Sequence, residues 1–256
     1  MPVHPLATAH TTPCTKDPSP MPLALSVVLP AHNEVGVIET VIADVVATAR
    51  RLAGDDRFEV IVVDDASTDG TSGVLDRLSR HEPSLVVVHL ADNVGHGPAL
   101  RRGWEQASAP WVAHLDSDAE IPAHQLDRVW ALREDADLVL GTRRGRAESA
   151  VRRFVTWSLK PIALAASRQP LRDANTPCKL VRRRFLDDAL TVMPAGAFAP
   201  SVLLAVVVAR RGGRIVEVAV DTEPRSHGTS WLVPTTLLRG CVHSLLDTAR
   251  VAWRTR

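Results

Sequence analysis

The chain has 256 residues, 45% of them hydrophobic, and a formal net charge of +1. That supports one large domain with a real core, or else two small ones, and the balanced charge gives no global pull toward nucleic acid. Cys14, Cys178 and Cys241 lie far apart with no Cys-x-x-Cys, so there is no disulfide framework and a reducing, cytoplasmic setting is expected.

Residues 1–22 are rich in Pro, Thr and His without an apolar period, which reads as a disordered tail. No basic stretch followed by an apolar one marks a signal peptide. Leu25 to Leu29 predicts a first strand, cut off by Pro30. The loop Pro30-Ala31-His32-Asn33-Glu34, with Asn33 a candidate cap, leads into a helix with Ile38, Val41, Ile42, Val45, Val46 and Ala49 on one face.

Phe58 to Val63 predicts a second strand, ending in Asp64-Asp65-Ala66-Ser67-Thr68-Asp69-Gly70-Thr71. Ser67 or Thr68 is the candidate cap of the next helix. Leu85 to Leu90 is a third strand, and Asn93 to Leu100 opens a helix running through Ala107. Trp111 to Leu115 is a fourth strand. Pro122 suits the first turn of the helix that follows. Asp137 to Leu140 is a fifth strand, followed by Gly141-Thr142-Arg143-Arg144.

The second half is less regular. Val151 to Ser167 predicts a helix kinked or broken at Pro161. Arg172 to Lys179 reads as a loop. Ala189 to Ala209 is uncharged and about as long as a bilayer span. Pro194, Gly196 and Pro200 interrupt it, so a core helix closing at Arg210–Arg211 is expected instead. Ile215 to Val220 is a late strand. From Pro234 to Trp253 a last helix puts Leu238, Val242, Leu245, Ala249 and Trp253 on one side, flanked by Arg239, His243, Arg250 and Arg254. That pattern serves a core face or a membrane surface equally well.

Strands alternating with helices imply an α/β fold with a mostly parallel central sheet covered on both faces. In such sheets ligands bind beyond the carboxyl ends of the strands. Glu34, Asp65, Asn93, Asp116, Asp118 and Arg143 all follow strands, so one rim collects the candidate chemistry. Asp116 and Asp118, spaced i, i+2, can hold a hard divalent cation such as Mg²⁺ or Mn²⁺, and through it a diphosphate. The plain alternative is a strand followed by a polar turn. Gly95-x-Gly97 lacks the third glycine of a dinucleotide loop, where Leu100 stands, and there is no phosphate loop of the Gly-Lys-Ser/Thr kind. Arg143 and Arg225 are either solvated arginines or phosphate clamps. His32, His96, His114 and His227 are not spaced as a zinc site and read as solvated or core histidines. Trp231 and Trp253 read as packing residues.

In order, P-A-H-N-E, V-V-D-D-A-S-T-D-G-T, N-V-G-H-G-P-A-L-R-R-G, L-D-S-D-A-E, G-T-R and E-V-A-V…P-R-S-H-G-T-S resemble the motifs of a family 2 glycosyltransferase with the GT-A fold. Within that family the chain is most similar to the polyprenyl-phosphate branch, of dolichol-phosphate mannose or glucose synthase type. The resemblance spans about Leu25 to Ser230. It implies a GT-A domain over 23–231, beyond which the apolar pattern already described predicts an amphipathic C-terminal helix over 232–256. It further implies that Pro30, His32, Glu34, Val63, Asp65, Asp116 and Ser117 line a nucleotide-sugar pocket. Asp116 and Asp118 become the metal-binding acids, with Glu120 where relatives place another ligand. Arg143 and Arg225 would face the phosphates of donor and acceptor.

Some positions depart from the family pattern. His32 replaces the usual Tyr, Trp231 stands where a basic residue is expected, and D-A-N-T-P-C-K-L replaces D-x-D-C-x-F-K-L. The expected reaction is metal-dependent transfer of a sugar from a nucleoside diphosphate sugar, of GDP-mannose or UDP-glucose type, to a polyprenyl phosphate, at the inner face of a membrane. An acceptor hydroxyl on a polysaccharide or small metabolite would instead require a base, for which Asp173 is the candidate. A nucleotide-sugar-binding protein without turnover is the non-enzymatic alternative.

Overall fold

The computed structural model describes residues 22–143, 173–223 and 234–255. The predicted tail, the predicted helix at Val151 to Ser167, and Arg225, His227 and Trp231 lie outside them.

The described residues build a seven-stranded sheet. Its strands are β1 (Leu25–Ala31), β2 (Phe58–Asp64), β3 (Leu85–His89), β4 (Trp111–His114), β5 (Leu138–Arg143), β6 (Lys179–Arg182) and β7 (Ile215–Val220). Their spatial order is β3-β2-β1-β4-β6-β5-β7. All pairings are parallel except those of β6, which runs antiparallel to both β4 and β5. The helices are α1 (Ile38–Ala53), α2 (Thr71–Ser79), α3 (His96–Gln106), α4 (Leu126–Ala131), α5 (Arg183–Val192), α6 (Pro200–Arg210) and α7 (Pro234–Arg254).

Alternate residues of the central strands feed two cores. Leu25, Val27 and Leu29 of β1 pack with Phe58, Val60 and Val62 of β2 under α1 and α4. Val28, Ile61 and Val63 face the other way, against α3, α5 and α6. Both faces are covered, so these strands read as unbroken apolar runs. Each fully buried Val, Leu or Ile contributes about 1.5–3 kcal/mol of apolar burial.

Several sequence expectations shift here. β1 does not stop at Leu29 but continues through Pro30 to Ala31. β4 pairs with β1 only as far as Val28↔His114. Beyond that point the N–H that Pro30 lacks has no ladder partner to serve, and the Pro30 carbonyl accepts the Ser117 hydroxyl at 2.9 Å. Neither Ser67 nor Thr68 caps α2, which starts after the left-handed Gly70. Asn33 does not cap α1, which begins after Val37. Pro122 precedes a 3₁₀ turn at Ala123–Gln125 rather than opening α4. Arg172 to Lys179 is not all loop, since Lys179 begins β6.

β6 was hidden because it is four residues long and has a cation at each end. Its Arg182 stacks over the Trp111 ring at 4.4 Å and pairs with Asp137 at 3.3 Å, so one terminal charge is matched. The apolar helix appears as α6, ending at Arg210, after a break through Pro194 and Gly196. No described helix is long and apolar enough to cross a membrane.

α7 turns differently from the sequence expectation. The side chains of Leu238 and Val242 lie outside the described residues; among those described, Gly240, Ser244, Asp247, Thr248, Val251 and Ala252 are buried, as is Thr255 just past the helix, with Val251 and Ala252 in the second core. Ala249 faces solvent, Leu246 is 50% exposed and Trp253 is 70% exposed, so Trp253 is not a packing residue.

Candidate functional site

The loops after β1, β2 and β3 are tied to one another by side chains acting on backbone. Asn33 has φ 56° and Ala66 φ 53°, which carries these turns through the left-handed region. The Asn33 N–H donates to the Ser67 hydroxyl, and the Thr68 N–H donates back to the Asn33 side-chain oxygen at 2.8 Å. Next along the chain, the Glu34 N–H donates to Thr71 Oγ1 and the Val35 N–H to Asp69 Oδ2. His32 donates from Nδ1 to the Asp65 carbonyl at 2.8 Å. That fixes Nε2 as an acceptor, with amide nitrogens of Asn33 and Asn93 each 3.1 Å away.

Asp64 and Asp65 hold the frame. Asp64 accepts from the Ser67 N–H, the Ser72 hydroxyl and His89. Burial opposes its ionisation, but these hydrogen bonds outweigh that and keep its pKa below the usual carboxylate value. Asp65 is buried, and its two oxygens accept the Val94 and Gly95 N–H groups at 2.7 and 2.8 Å. This carboxylate latches the loop that leads directly into α3.

α3 begins at His96. Gly97 follows because a Cβ there would run into the Ala197 carbonyl and lie 2.8 Å from the Phe198 carbonyl oxygen. The first turn of α3 thus rests on the backbone between α5 and α6. Arg101 secures that segment by donating to the Leu190 and Met193 carbonyls at 3.0 and 2.9 Å, groups the end of α5 leaves open.

β4 ends at His114, on the α3 side of the sheet. Its Nε2 is 3.2 Å from Asp116 Oδ1, and His96 Nε2 is 3.7 Å from the same oxygen. The His114 ring meets Trp104 edge-on at 6.3 Å and lies 6.0 Å from the His96 ring. Burial pushes the His114 pKa down to about 4 despite its hydrogen bond to Asp116, so the imidazole is neutral at physiological pH. For Asp116, burial opposes ionisation, but the charge of His96 and the hydrogen bond from His114 hold its pKa far below the usual range. One donor atom each from His96, His114 and Asp116 lies within 4.8 Å of the others, the one such group of three among the described residues. Asp118 and Glu120 are not in it. Asp118 Oδ1 accepts the Glu120 N–H at 3.0 Å, and Ala119 between them has φ 58°.

Directly across from His114 in the antiparallel register stands Lys179, so both side chains share one face of the sheet. Lys179 is 1% exposed, and its Nζ has no hydrogen-bond partner. Burial drives its pKa down to about 7, against the pull of Asp116 and Asp173. The sequence offered no sign of this buried cation beyond its place in the K-L-V-R run. Beside it, Cys178 is a buried free thiol whose pKa burial raises to about 12, so it is chemically inert.

Arg143, at the end of β5, pairs with Asp173 at 2.9 Å and lies 3.8 Å from Glu120. The Glu223 N–H donates to the Glu120 carbonyl at 2.9 Å, so Glu223 is held at the same rim. Of the remaining sequence-derived residues, Glu34 is partly buried in the first loop. Val63 is wholly buried, and Ser117 is engaged with Pro30. The sequence missed His96 and His114 as a pair because they come from a helix start and a strand end, with no repeating spacing to join them.

The model of "Glycosyl transferase family 2" matches residues 26–190. An undecaprenyl-phosphate 4-deoxy-4-formamido-L-arabinose transferase of Pseudomonas syringae pv. syringae is 33% identical over 219 residues, which cover 84% of this chain and 62% of the relative. The corresponding protein of Proteus mirabilis is 28% identical, with 80% and 62% covered. The chain thus spans less than two thirds of the length of these relatives.

Among solved structures, mannosyl-3-phosphoglycerate synthase from Rubrobacter xylanophilus aligns with a TM-score of 0.66 at 19% identity, over 91% of this chain and 74% of the other. Glucosyl-3-phosphoglycerate synthase from Mycobacterium tuberculosis, solved with Mn²⁺ and UDP, aligns at 0.63 and 24% identity, over 88% and 80%. A mannosyltransferase from Pyrobaculum calidifontis in complex with GDP-Man and Mn²⁺ aligns at 0.62 and 22% identity, over 90% and 64%. These likenesses establish the GT-A fold expected from the sequence. The family match over the site-bearing half of the sheet, together with the relatives' identity across most of the chain, makes this protein a member of glycosyl transferase family 2.

Proposed function

We propose that the protein transfers a sugar from a nucleoside diphosphate sugar to a polyprenyl phosphate. The observation that carries this reading is the acidic rim at Asp116, at the carboxyl end of β4, in a chain 33% identical to an undecaprenyl-phosphate sugar transferase. The donor set at the rim, two imidazoles and a carboxylate ionised at neutral pH, fits a divalent cation. In this reading Asp116 and Asp118 hold Mg²⁺ or Mn²⁺, with Glu120 beside them. Such an ion, when bound, supplies Lewis-acid neutralisation of the departing diphosphate.

His32 and Glu34 bind and orient the nucleotide, on a frame that Asp65 holds through Val94 and Gly95. Pro30 and Ser117 brace that frame, and Val63 packs beneath it. Arg143 and Arg225 bring positive charge toward the phosphates. The acceptor phosphate oxygen bonds to the anomeric carbon as the bond to the donor's diphosphate breaks. That oxygen is already anionic, so no general base is needed. Asp173, the candidate base for a hydroxyl acceptor, is occupied by Arg143 at 2.9 Å, which favours an acceptor that needs no base. The outward Leu246 and Trp253 of α7, next to Arg250 and Arg254, suit contact with an anionic membrane surface.

The test is transfer of radiolabelled sugar from a panel of nucleotide sugars with Mg²⁺ or Mn²⁺ present. Label extracted into organic solvent with the polyprenyl phosphate is the expected result, lost in Asp118→Asn. Label found only in a water-soluble product, or donor binding without transfer, overturns it.

A further inference from the structure

We propose that His96 and His114 complete, with Asp116, a mixed nitrogen–oxygen cation site selective for first-row transition ions over Mg²⁺ and Ca²⁺. This deepens the reading just given, and rests on it only in that Asp116 serves both. The aspartate pair by itself is an all-oxygen donor set of the kind Mg²⁺ accepts. Two imidazoles change that. Neutral nitrogen donors favour Co²⁺ and Zn²⁺, whereas Mg²⁺, Ca²⁺ and, more weakly, Mn²⁺ prefer oxygen and water.

The geometry is close to what such an ion needs. Ligand atoms about 2.0–2.2 Å from a shared ion stand roughly 3–3.5 Å apart. The observed separations from Asp116 Oδ1 are 3.2 Å to His114 and 3.7 Å to His96. Little side-chain movement is required.

The three donors also differ usefully in mobility. His114 is 2% exposed, held edge-on by Trp104 at the end of β4. Its Nδ1 has no protein partner, so hydrogen bonding alone does not account for a histidine buried at this position. Asp116 is partly exposed, and His96 is 56% exposed on the rim. One wall of the site is therefore rigid, and the open side leaves coordination positions for a ligand's phosphate oxygens. The turn carrying His96 is fixed from both ends, by the Asp65 latch on Val94 and Gly95 and by the close approach of Gly97 to Phe198. The surroundings bear on affinity as well. Lys179 lies across from His114, so its ammonium opposes a second cation, and binding is weaker than three donors alone would give.

The experiment is equilibrium titration of the full chain with Co²⁺, read by its visible absorption bands, and competition by Mg²⁺, Mn²⁺ and Zn²⁺, all without nucleotide or sugar. The expected result is Co²⁺ binding that Mg²⁺ displaces only at about a hundredfold or greater excess. His96→Gln, at an exposed position, should weaken Co²⁺ about tenfold or more and leave Mg²⁺ within about twofold, while Asp116→Asn weakens both. His114→Gln, if folded by circular dichroism, should act as His96→Gln does. Equal affinity for Mg²⁺ and Co²⁺, or Co²⁺ binding untouched by His96→Gln and Asp116→Asn, overturns the inference. Intact lipid glycosylation alongside that result leaves the proposed function standing. Histidine-dependent Co²⁺ binding with no sugar transfer overturns the function and keeps the site.

Discussion

Replacing Asp65 with Asn tests how the rim is held. Both carboxylate oxygens are engaged, one by the Val94 N–H at 2.7 Å and one by the Gly95 N–H at 2.8 Å, on a residue only 3% exposed. The amide keeps one acceptor and turns an NH₂ toward the other N–H. One hydrogen bond loses its charge assistance, worth about 1 kcal/mol. The other becomes a donor facing a donor in a buried place, which costs about 1–3 kcal/mol. Together these predict a loss of roughly 2–4 kcal/mol. In a chain of this size each 1 kcal/mol lowers Tm by about 2–4 °C, so a drop of roughly 5–15 °C is expected by calorimetry. Adding a nucleoside diphosphate should raise Tm less in the variant than in the parent, since the latch positions the loop beside His32 and His96. A drop smaller than about 2 °C would refute the latch. An unchanged Tm with nucleotide binding lost would mean that Asp65 serves the ligand directly and not the loop.

Other outcomes follow from the same geometry. Lys179→Met removes a buried ammonium that has no hydrogen-bond partner, so Tm should stay level or rise, by up to about 1–4 kcal/mol of stability, while turnover falls because positive charge beside the site is lost; a Tm drop of several degrees contradicts this. Gly97→Ala should cost about 1–3 kcal/mol and shift His96, measured as lowered Tm together with weaker Co²⁺ binding. His89 sits between Asp64 at 2.8 Å and Asp76 at 3.1 Å; burial lowers its pKa, but the two carboxylates outweigh that and raise it above 6.5. The group thus stabilises the fold fully below pH 6.5 and loses that contribution as pH rises through its raised folded pKa. His89 is 40% exposed, so solvent screening keeps the effect under about 1 kcal/mol, and the Tm gap between parent and His89→Asn should narrow with rising pH; a gap constant across the range contradicts the pairing. Trp253→Ala should weaken sedimentation with anionic vesicles about tenfold, and unchanged binding removes α7 from the membrane surface.

The parallel half of the sheet was readable because each strand is buried on both faces and so spells a continuous apolar run, as in L-S-V-V-L and V-I-V-V. The rim was readable for the same reason, since acids and amides there follow those runs directly. β6 was not, because its pairing depends on Trp111 and Asp137, residues far from it in the chain. Nor could the sequence show that Arg143 and Asp173 meet, since each belongs to a different segment at the rim. The face of α7 was misjudged because its buried side carries Ser244, Asp247, Thr248 and Thr255, which a hydrophobicity pattern assigns to water.

The reversed direction of β6 sets an order on assembly during synthesis. Until the ribosome has passed Arg182, β4 has β1 on one side and an open edge on the other. A nascent chain stalled earlier therefore exposes unpaired backbone beside Trp111, a template for wrong partners. Closing that edge is the same event that delivers Lys179 opposite His114, so this part of the rim takes its final charge only when the sheet is sealed.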